Sequence, residues 1–173
     1  MGKENIQFIV ADATHIDAAK KVSDWVSSND AMLPKSPEQV LENFSTGHAV
    51  IGYDGTALVV HAALTQVNSD QTAEVGSLFT EETHRHMGLA REAVHVLLEH
   101  GRNLYPDHTL YAIANERSAP LFQKMGAREM QTDELGDEVW ASCDTCPRKP
   151  ERVEGCPFKC CDTPFDLTHV KSE

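Results

Sequence analysis

The segment "AEVGSLFTEETHRHMGLAREAVHVLLEHG" (residues 73–101) predicts a strand, a turn and a helix in direct succession. Its first residues form an apolar run of strand length, and its last part repeats apolar residues at helical spacing before Gly101. The residues that share this helical face are Leu89, Ala93, Val96 and Leu97. Such a helix has one apolar side, so we expect it to pack against the sheet to which the strand belongs.

The turn between the strand and the helix is "RHMGLA" (residues 85–90). A helix N-terminus presents unpaired N–H groups and a partial positive charge, and both attract phosphate oxygens. Gly88 and Ala90 permit a close approach of the backbone, and Arg85 adds a positive charge. A small residue at a helix start is more often a packing feature, however. The turn also lacks the ending of a P-loop and the glycine triplet of a dinucleotide-binding fingerprint.

The other elements follow from apolar periodicity and turn signals. Strands are predicted at residues 6–11, 48–55, 56–67, 72–80, 109–114 and 138–143, and helices after Thr14, after Ser36, from Gly88 and over 118–126. The resulting order, β-α-α-β-β-β-α-β-α-β, predicts a mixed α/β (α+β) domain over residues 1–142. Residues 143–173 are rich in Pro and Cys and lack either periodicity, so we expect a Cys-rich C-terminal extension.

Composition narrows the class of partner. The 173 residues include 15 Lys and Arg against 27 Asp and Glu, a net charge of −12. This balance argues against nucleic-acid binding and is compatible with a cationic substrate. No stretch is long and apolar enough to span a membrane, and the N-terminal residues are too polar for a signal peptide. We therefore expect a soluble, cytoplasmic protein.

The turn "RHMGLA" resembles the acyl-CoA pyrophosphate loop of the GNAT superfamily of N-acetyltransferases, whose pattern is Arg/Gln-x-x-Gly-x-Gly/Ala. Arg85, Gly88 and Ala90 fill its three defined positions. A second segment, "NERSAPLFQKMGA" (residues 115–127), is similar to the family segment Asn-x-x-Ser-x-x-Leu-Tyr/Phe-x-Lys-x-Gly. The resemblance implies a GNAT-like fold, with a mixed, mostly antiparallel central sheet flanked by helices. It also implies acetyl-CoA as the cosubstrate.

The resemblance assigns residues to the cofactor as well. Main-chain groups of Leu78 and Thr80 are expected to meet the pantetheine arm. Asn115 is expected near the cofactor, where the fourth and fifth strands splay apart, and Phe122 occupies the position at which many relatives carry a Tyr. The pyrophosphate is assigned to the amides of Arg85, His86, Met87, Gly88, Leu89 and Ala90.

Acetyl transfer to an amine needs a base for the amine proton and a proton for the departing thiolate. Glu74, in the fourth strand, matches a position where many family members carry a Glu as that base; the alternative is a solvent-facing or Lys-paired carboxylate. His61 is a second candidate base because its reference pKa is near neutrality, and its alternative is a core or edge residue. Phe122 has no proton to give. The thiolate then takes its proton from water or another group, positioning alone supplies the rate, or catalysis is lost and only CoA binding remains.

The cysteines form two groups near the C-terminus. The spacing Cys143-x2-Cys146 and Cys156-x3-Cys160 predicts a structural zinc site, with Cys161 as an alternative to Cys160. Free thiols, a redox pair and an iron–sulfur site are the other interpretations. A catalytic metal is not indicated.

The leading functional hypothesis is an N-acetyltransferase that moves an acetyl group from acetyl-CoA to a primary amine of a small molecule or peptide. The alternatives are a catalytically silent acyl-CoA-binding or sensor module, and an interaction protein that acts through the Cys-rich extension. The expected partner is an amine substrate, in a protein that is a monomer or a homodimer. Neither nucleic acid nor membrane is expected to bind.

Overall fold

A seven-stranded sheet forms the centre of the computed structural model, which describes residues 5–29, 32–141 and 163–171. The strands are β1 (Ile6–Val10), β2 (Ala49–Asp54), β3 (Ala57–Val67), β4 (Thr72–Thr80), β5 (Thr109–Ala114), β6 (Arg128–Glu129) and β7 (Thr163–Asp166). The helices are α1 (Ile16–Ser27), α2 (Pro37–Ser45), α3 (Leu89–Leu104), α4 (Ala119–Lys124) and α5 (Asp137–Ala141).

The strands lie in the order β1-β2-β3-β4-β5-β7-β6, and every neighbouring pair is antiparallel except β4 and β5. This architecture confirms the predicted mixed, mostly antiparallel sheet flanked by helices. The single parallel pair arises because α3 carries the chain from the end of β4 back to the start of β5.

Helices cover both faces of the sheet. Val50 and Ala62 belong to the large core on which α3 packs, whereas Ile51 and Ala63, one residue further along each strand, belong to the core under α1 and α2. A third, smaller core beneath α5 lies around Tyr111. Alternation along β2 and β3 therefore separates the α3 side of the molecule from the α1–α2 side.

Two of the helix ends can be compared with their sequence signals. Ser36 and Gln39 form the predicted capping box at the start of α2, in which each side chain bonds the other residue's N–H. The prediction that α3 stops at Gly101 is wrong, since the helix continues to Leu104. Gly101 is buried where α3 meets the sheet, and a Cβ there would lie 3.6 Å from the side chains of Leu64 and Leu110.

The strand predicted at residues 138–143 is also wrong. Residues Asp137–Ala141 form α5, which begins with two acidic residues that suit a helix N-terminus. Helical backbone lets Val139 and Trp140 both enter the small core around Tyr111, and Trp140 donates its indole N–H to main-chain oxygens of residues 132 and 135. Tertiary packing decides this segment because its short apolar run fits either structure.

The last strand of the sheet comes from the predicted C-terminal extension and not from residues 138–143. Thr163–Asp166 forms β7, which inserts between β5 and β6 and pairs with both. Phe165 and Leu167 are fully buried in the large core. These residues of the Cys-rich segment are therefore part of the central sheet. No helix in the described part of the chain is long and apolar enough to cross a membrane.

Candidate active site between β4 and β5

The two parallel strands separate partway along their length. β4 pairs with β5 over Thr72–Glu74 and Thr109–Tyr111, but β4 continues to Thr80 and β5 to Ala114. Beyond Tyr111, β7 is the one strand among the described residues that pairs with β5. A cleft therefore opens beside the second half of β4, which is the splay that the resemblance implies.

A β-bulge shapes the open half of β4. His61 lies opposite Phe79 and Ala63 opposite Gly76, so β4 has one residue more than β3 in this interval. Ser77 lies in this bulge and has a left-handed backbone conformation, with a φ of 49°. A bulge of this kind changes which way the following main-chain groups point.

Main-chain groups of Leu78 and Thr80 face the cleft. The N–H of Glu81 donates to the oxygen of Val59, which makes these two residues a hydrogen-bonded pair of the β3–β4 ladder. Such pairs alternate with non-bonded ones along the ladder. The main-chain N–H and C=O of Phe79 therefore point toward β3, and those of Leu78 and Thr80 point away from it. This orientation fits the predicted pantetheine-binding role of both residues.

The loop from Arg85 to Ala90 presents a row of unbonded amides. His86 and Gly88 have φ values of 64° and 78°, and α3 begins directly afterwards without a side-chain cap. Within the described chain no hydrogen bond satisfies the N–H groups of His86, Met87, Gly88, Leu89 and Ala90. The amide of Arg85 differs from the others because it donates to the oxygen of Glu82 at 3.3 Å. Five consecutive free N–H groups at a helix N-terminus form a cradle for an anion.

The side chains of this loop have different surroundings. Arg85 and His86 are exposed, Met87 is partly buried against the large core, and Leu89 is buried in it. Ala90 is partly buried. The loop can therefore offer its backbone to a ligand while two of its side chains hold it on the core.

The Arg85 side chain lies along β4. Its Nε donates to the oxygen of Thr80 at 3.3 Å, and its guanidinium carbon lies 5.9 Å from the centroid of Phe79. Phe79 stacks on Trp25 of α1 with centroids 4.6 Å apart, and Lys21 lies 4.9 Å above the other aromatic ring, that of Trp25. Two stacked rings between two cations therefore connect α1 to the loop.

One buried polar atom on the cleft strand lacks a partner. Thr80 Oγ1 is buried and makes no hydrogen bond to the described residues. Buried hydroxyls are almost always satisfied, so this orphan fits a strand built to receive a polar ligand. The resemblance to the GNAT superfamily predicts an acyl-CoA along this strand and loop.

Asn115 and Phe122 belong to the turn and helix after β5. The side-chain oxygen of Asn115 accepts from the amides of Arg117 and Ser118, at 2.9 and 3.1 Å, so it shapes the start of α4. Phe122 is 3% exposed and packs in the large core. Both contacts give these residues a structural role beside the predicted cofactor role.

Glu74 lies where β4 and β5 part. It is partly buried, and Thr65 donates its hydroxyl to Oε2 at 2.7 Å. Burial raises the pKa of Glu74, against the lowering effects of the Thr65 hydrogen bond and of the Lys35 ammonium. A carboxyl whose pKa lies above its ordinary value is a stronger base than a solvated one once ionised.

His61 lies on the same side of the sheet as Glu74 and is 2% exposed. Its Nδ1 is 2.7 Å from the oxygen of Ser77, and because a carbonyl only accepts, Nδ1 carries the proton. Nε2 is buried and has no partner among the described residues. Burial lowers the pKa of His61 to about 4, so the ring is neutral at pH 7 and supports the β4 bulge.

Three residues near Glu74 escaped prediction from the sequence: Lys35, Thr65 and Gly76. Lys35 is partly buried and comes from the segment between α1 and α2, which bears no recognisable motif; burial lowers its pKa and Glu74 raises it. Thr65 is an ordinary strand residue, and its position depends on a bulge in β3. Gly76 lies beside the bulge in β4, and a glycine inside a predicted strand is the sequence signal that could have indicated such a bulge.

The predicted zinc ligands Cys143, Cys146, Cys156 and Cys160, and the alternative Cys161, lie outside the described residues. Within the described residues, no group of three or more His, Cys, Asp or Glu side chains could hold a metal ion. The structural zinc site stays a prediction, which bound-metal analysis of the purified protein tests.

Solved structures with a similar fold include two proteins that were solved in complex with CoA. A Mycobacterium tuberculosis protein solved in complex with CoA superimposes with a TM-score of 0.65 at 15% identity, covering 92% of this chain and 96% of that one. A diaminobutyrate acetyltransferase from Paenibacillus lautus, in complex with L-2,4-diaminobutyric acid and CoA, gives 0.63 at 13% identity, covering 92% of both chains. At this identity the likeness concerns the fold.

Sequence comparison identifies the family. An uncharacterised N-acetyltransferase of Chlorobaculum tepidum is 26% identical over 144 residues, which are 81% of this chain and 84% of that protein. The model of the acetyltransferase (GNAT) family matches residues 19–127, more than half of the chain and including both the free amides and Glu74. The chain therefore belongs to the GNAT family of acetyltransferases.

Proposed function

We propose that this protein transfers an acetyl group from acetyl-CoA to a primary amine of a small molecule or peptide, by direct attack within a ternary complex. The observation that carries the proposal is the position of Glu74. A partly buried carboxyl with a raised pKa lies where β4 and β5 separate, on the strand that leads to the free amides of the loop. This arrangement places a base for the amine and a cradle for the cofactor's phosphates on one cleft.

The binding part is supplied by main chain. The amides of residues 86–90 would hold the pyrophosphate, and the cleft-facing groups of Leu78 and Thr80 would bond the pantetheine amides. The oxygen of Thr80 is engaged by Arg85 Nε, so the arm must share or replace that bond. When bound, acetyl-CoA supplies the acetyl group as a thioester.

Glu74 is the base in this proposal. At neutral pH a primary amine is mostly protonated, and it becomes a nucleophile only after losing a proton. Glu74 accepts that proton directly or through one water, which leaves the electron pair of the nitrogen free to form the new C–N bond. His61 is a poor alternative because a pKa of about 4 makes it a weaker base.

The departing thiolate depends less on an acid than the amine depends on a base. Phe122 is a hydrocarbon side chain, and it is buried in the core. A thiol has a reference pKa of about 8.5, so its thiolate departs without obligatory protonation and takes a proton from water afterwards. Positioning by the strand and loop then supplies much of the rate.

The acceptor is proposed to be small and cationic. The Paenibacillus neighbour binds a small diamino acid, which supports an acceptor of this class. A net charge of −12 attracts cationic amines to the protein surface. The protein itself is proposed to act as a monomer or a homodimer, without a nucleic-acid or membrane partner.

The test is an acetylation screen with acetyl-CoA and a panel of primary amines, in which product is identified by mass and thiol release gives the rate. Glu74→Gln should abolish most of the turnover and leave the affinity for acetyl-CoA, measured by calorimetry, unchanged. Glu42→Gln, which removes an exposed carboxylate on α2, is the matched control. Tight acetyl-CoA binding without turnover of any amine, and without an effect of Glu74→Gln, would support a silent acyl-CoA-binding module instead.

A further inference from the structure

Thr65 is placed opposite Glu74 by an irregularity in β3. Leu64 lies opposite Val75 and Gln66 opposite Glu74, so β3 has one residue more than β4 at this point. In such a bulge two residues oppose one, and both side chains turn toward the same partner. The Thr65 hydroxyl consequently reaches Glu74 Oε2 at 2.7 Å.

The two oxygens of Glu74 have different surroundings. Oε2 accepts the Thr65 hydrogen bond, whereas Oε1 has no hydrogen bond to the described residues. Oε1 lies on the side of Gly76, where a Cβ would be 3.8 Å away. The missing side chain of Gly76 therefore leaves room beside the unbonded oxygen.

That room is narrow. A Cβ on Gly76 would come within 3.1 Å of Thr65 Oγ1 and 3.2 Å of its methyl carbon, closer than an ordinary contact. A side chain at residue 76 would displace the hydroxyl that holds Oε2. The absence of a side chain at residue 76 and the hydroxyl at residue 65 are thus two parts of one arrangement.

We propose that Thr65 positions Glu74 for catalysis by holding Oε2, and that Oε1 takes the proton of the acceptor amine, which approaches over Gly76. This inference rests on the proposed function and assigns the amine end of the acceptor site. In the step, an ammonium N–H bond breaks, an Oε1–H bond forms and the electron pair stays on nitrogen. Thr65 touches neither reactant, so it is a positioning residue.

Two other ionisable groups also face this carboxyl. Lys35 approaches from the segment between α1 and α2, and Tyr111 lies opposite on β5. Lys35 lowers the pKa of Glu74, as the Thr65 hydroxyl does, while the charge of Glu74 raises that of Tyr111. Loss of the Thr65 hydroxyl leaves Lys35 and Tyr111 in place, so its effect on Glu74 is separable from theirs.

The test is a carboxyl carbon NMR titration of Glu74, assigned with Glu74→Gln, in the full-length protein. Thr65→Val should raise the pKa of Glu74 by about one unit, since it removes a hydrogen bond to the charged form. Thr65→Ser, which keeps the hydroxyl, should titrate like the wild type. Equal titration curves for the wild type and Thr65→Val would overturn the proposal. Should Thr65→Val fail to fold, Thr65→Ala is titrated in its place, with the same expected shift.

Thr72→Val is the matched control. Thr72, at the start of β4, is buried, and like Thr65 it bonds a carboxylate through its hydroxyl, here that of Asp70 at a distance of 2.6 Å. Its replacement removes the same kind of bond without touching Glu74, so the titration of Glu74 should not move. A shift as large as that of Thr65→Val would assign the effect to general loosening of the β3–β4 pair and would contradict the proposal.

Kinetics separate this inference from the proposed function, with L-2,4-diaminobutyrate as the amine probe, or the best amine of the panel where that probe is not turned over. The acid limb of kcat/KM should move to higher pH in Thr65→Val and stay in Thr65→Ser. An acid limb that survives in Glu74→Gln would remove the base assignment, and the proposed mechanism with it. A limb lost in Glu74→Gln but unmoved in Thr65→Val would remove the role of Thr65 alone.

Gly76→Ala tests the approach path. The added methyl should lower kcat/KM for the amine by about tenfold or more, because small displacements of reacting groups are costly. The affinity for acetyl-CoA should fall less than kcat/KM does, since the free amides of the loop are on another segment and only Leu78, which we assign to the pantetheine arm, lies nearby on β4. Unchanged kcat/KM in Gly76→Ala would show that the amine does not approach over this residue.

Discussion

The ring of Phe122 packs against the ring of Phe165, with centroids 5.9 Å apart, so that α4 is joined to β7. Phe165 comes from the segment after the cysteines, and Phe122 from the position where many relatives carry a Tyr. Both side chains belong to the large core. The residue that departs from the family pattern thus helps to fasten the last strand to the sheet.

This contact predicts a stability effect. Phe122→Ala should lower the free energy of unfolding by about 3–5 kcal/mol, because it leaves a cavity in a packed core. Phe165→Ala should act similarly, and the double variant should lose less than the sum of the two because the partners touch. Chemical denaturation measures all three. Additive losses would contradict direct packing between the rings.

The left-handed backbone at Gly88 predicts an effect on binding. Gly88 has a φ of 78° at the start of α3, where an L side chain costs about 1–2 kcal/mol. Gly88→Ala should therefore disturb the row of free amides and weaken acetyl-CoA binding, measured by calorimetry. Gly55→Ala is the control: Gly55 has a φ of 59° in the β2–β3 turn and nothing within 4 Å of a built Cβ. Gly55→Ala should carry a similar backbone cost and leave acetyl-CoA binding intact. Equal losses of affinity in both variants would refute a local role for Gly88.

The partly buried carboxyl of Glu74 predicts that this residue lowers the stability of the protein at neutral pH. The pKa of Glu74 is raised in the folded state, so its contribution to stability is present at low pH and is lost as pH rises through that pKa. Glu74→Gln should consequently unfold with a higher free energy than the wild type at pH 7, and the difference should shrink toward pH 4. Urea denaturation at several pH values measures this. A variant less stable than the wild type at pH 7 would contradict the burial of a charged Glu74.

His61 predicts the opposite dependence on pH. Its pKa is lowered from 6.5 to about 4, so the stability it contributes is present above 6.5 and is lost as pH falls through this window. A shift of that size corresponds to about 3 kcal/mol. In His61→Asn, whose amide can still donate to the oxygen of Ser77, the loss between pH 6.5 and 4 should be smaller than in the wild type. Identical pH profiles would show that His61 titrates freely in the folded protein.

Local sequence determined much of the molecule because its signals depend on neighbours along the chain. The apolar spacing of Leu89, Ala93 and Leu97 predicts α3, and the capping signals of Ser36 and Gln39 predict α2; both helices form. The motif of Arg85, Gly88 and Ala90 predicts a loop at a helix N-terminus. A helix N-terminus leaves its first amides unbonded wherever it occurs, so the anion cradle follows from the sequence.

Only the tertiary structure decided which residues surround Glu74 and where the chain completes its sheet. Thr65 reaches Oε2 because β3 has one extra residue opposite Glu74, and strand register is a property of two strands together. Val139 and Trp140 are helical, and Phe165 lies in the sheet, because these conformations bury their side chains in hydrophobic cores with residues distant in sequence. Short apolar runs fit either structure locally, and the free energy of burial against distant residues makes the choice.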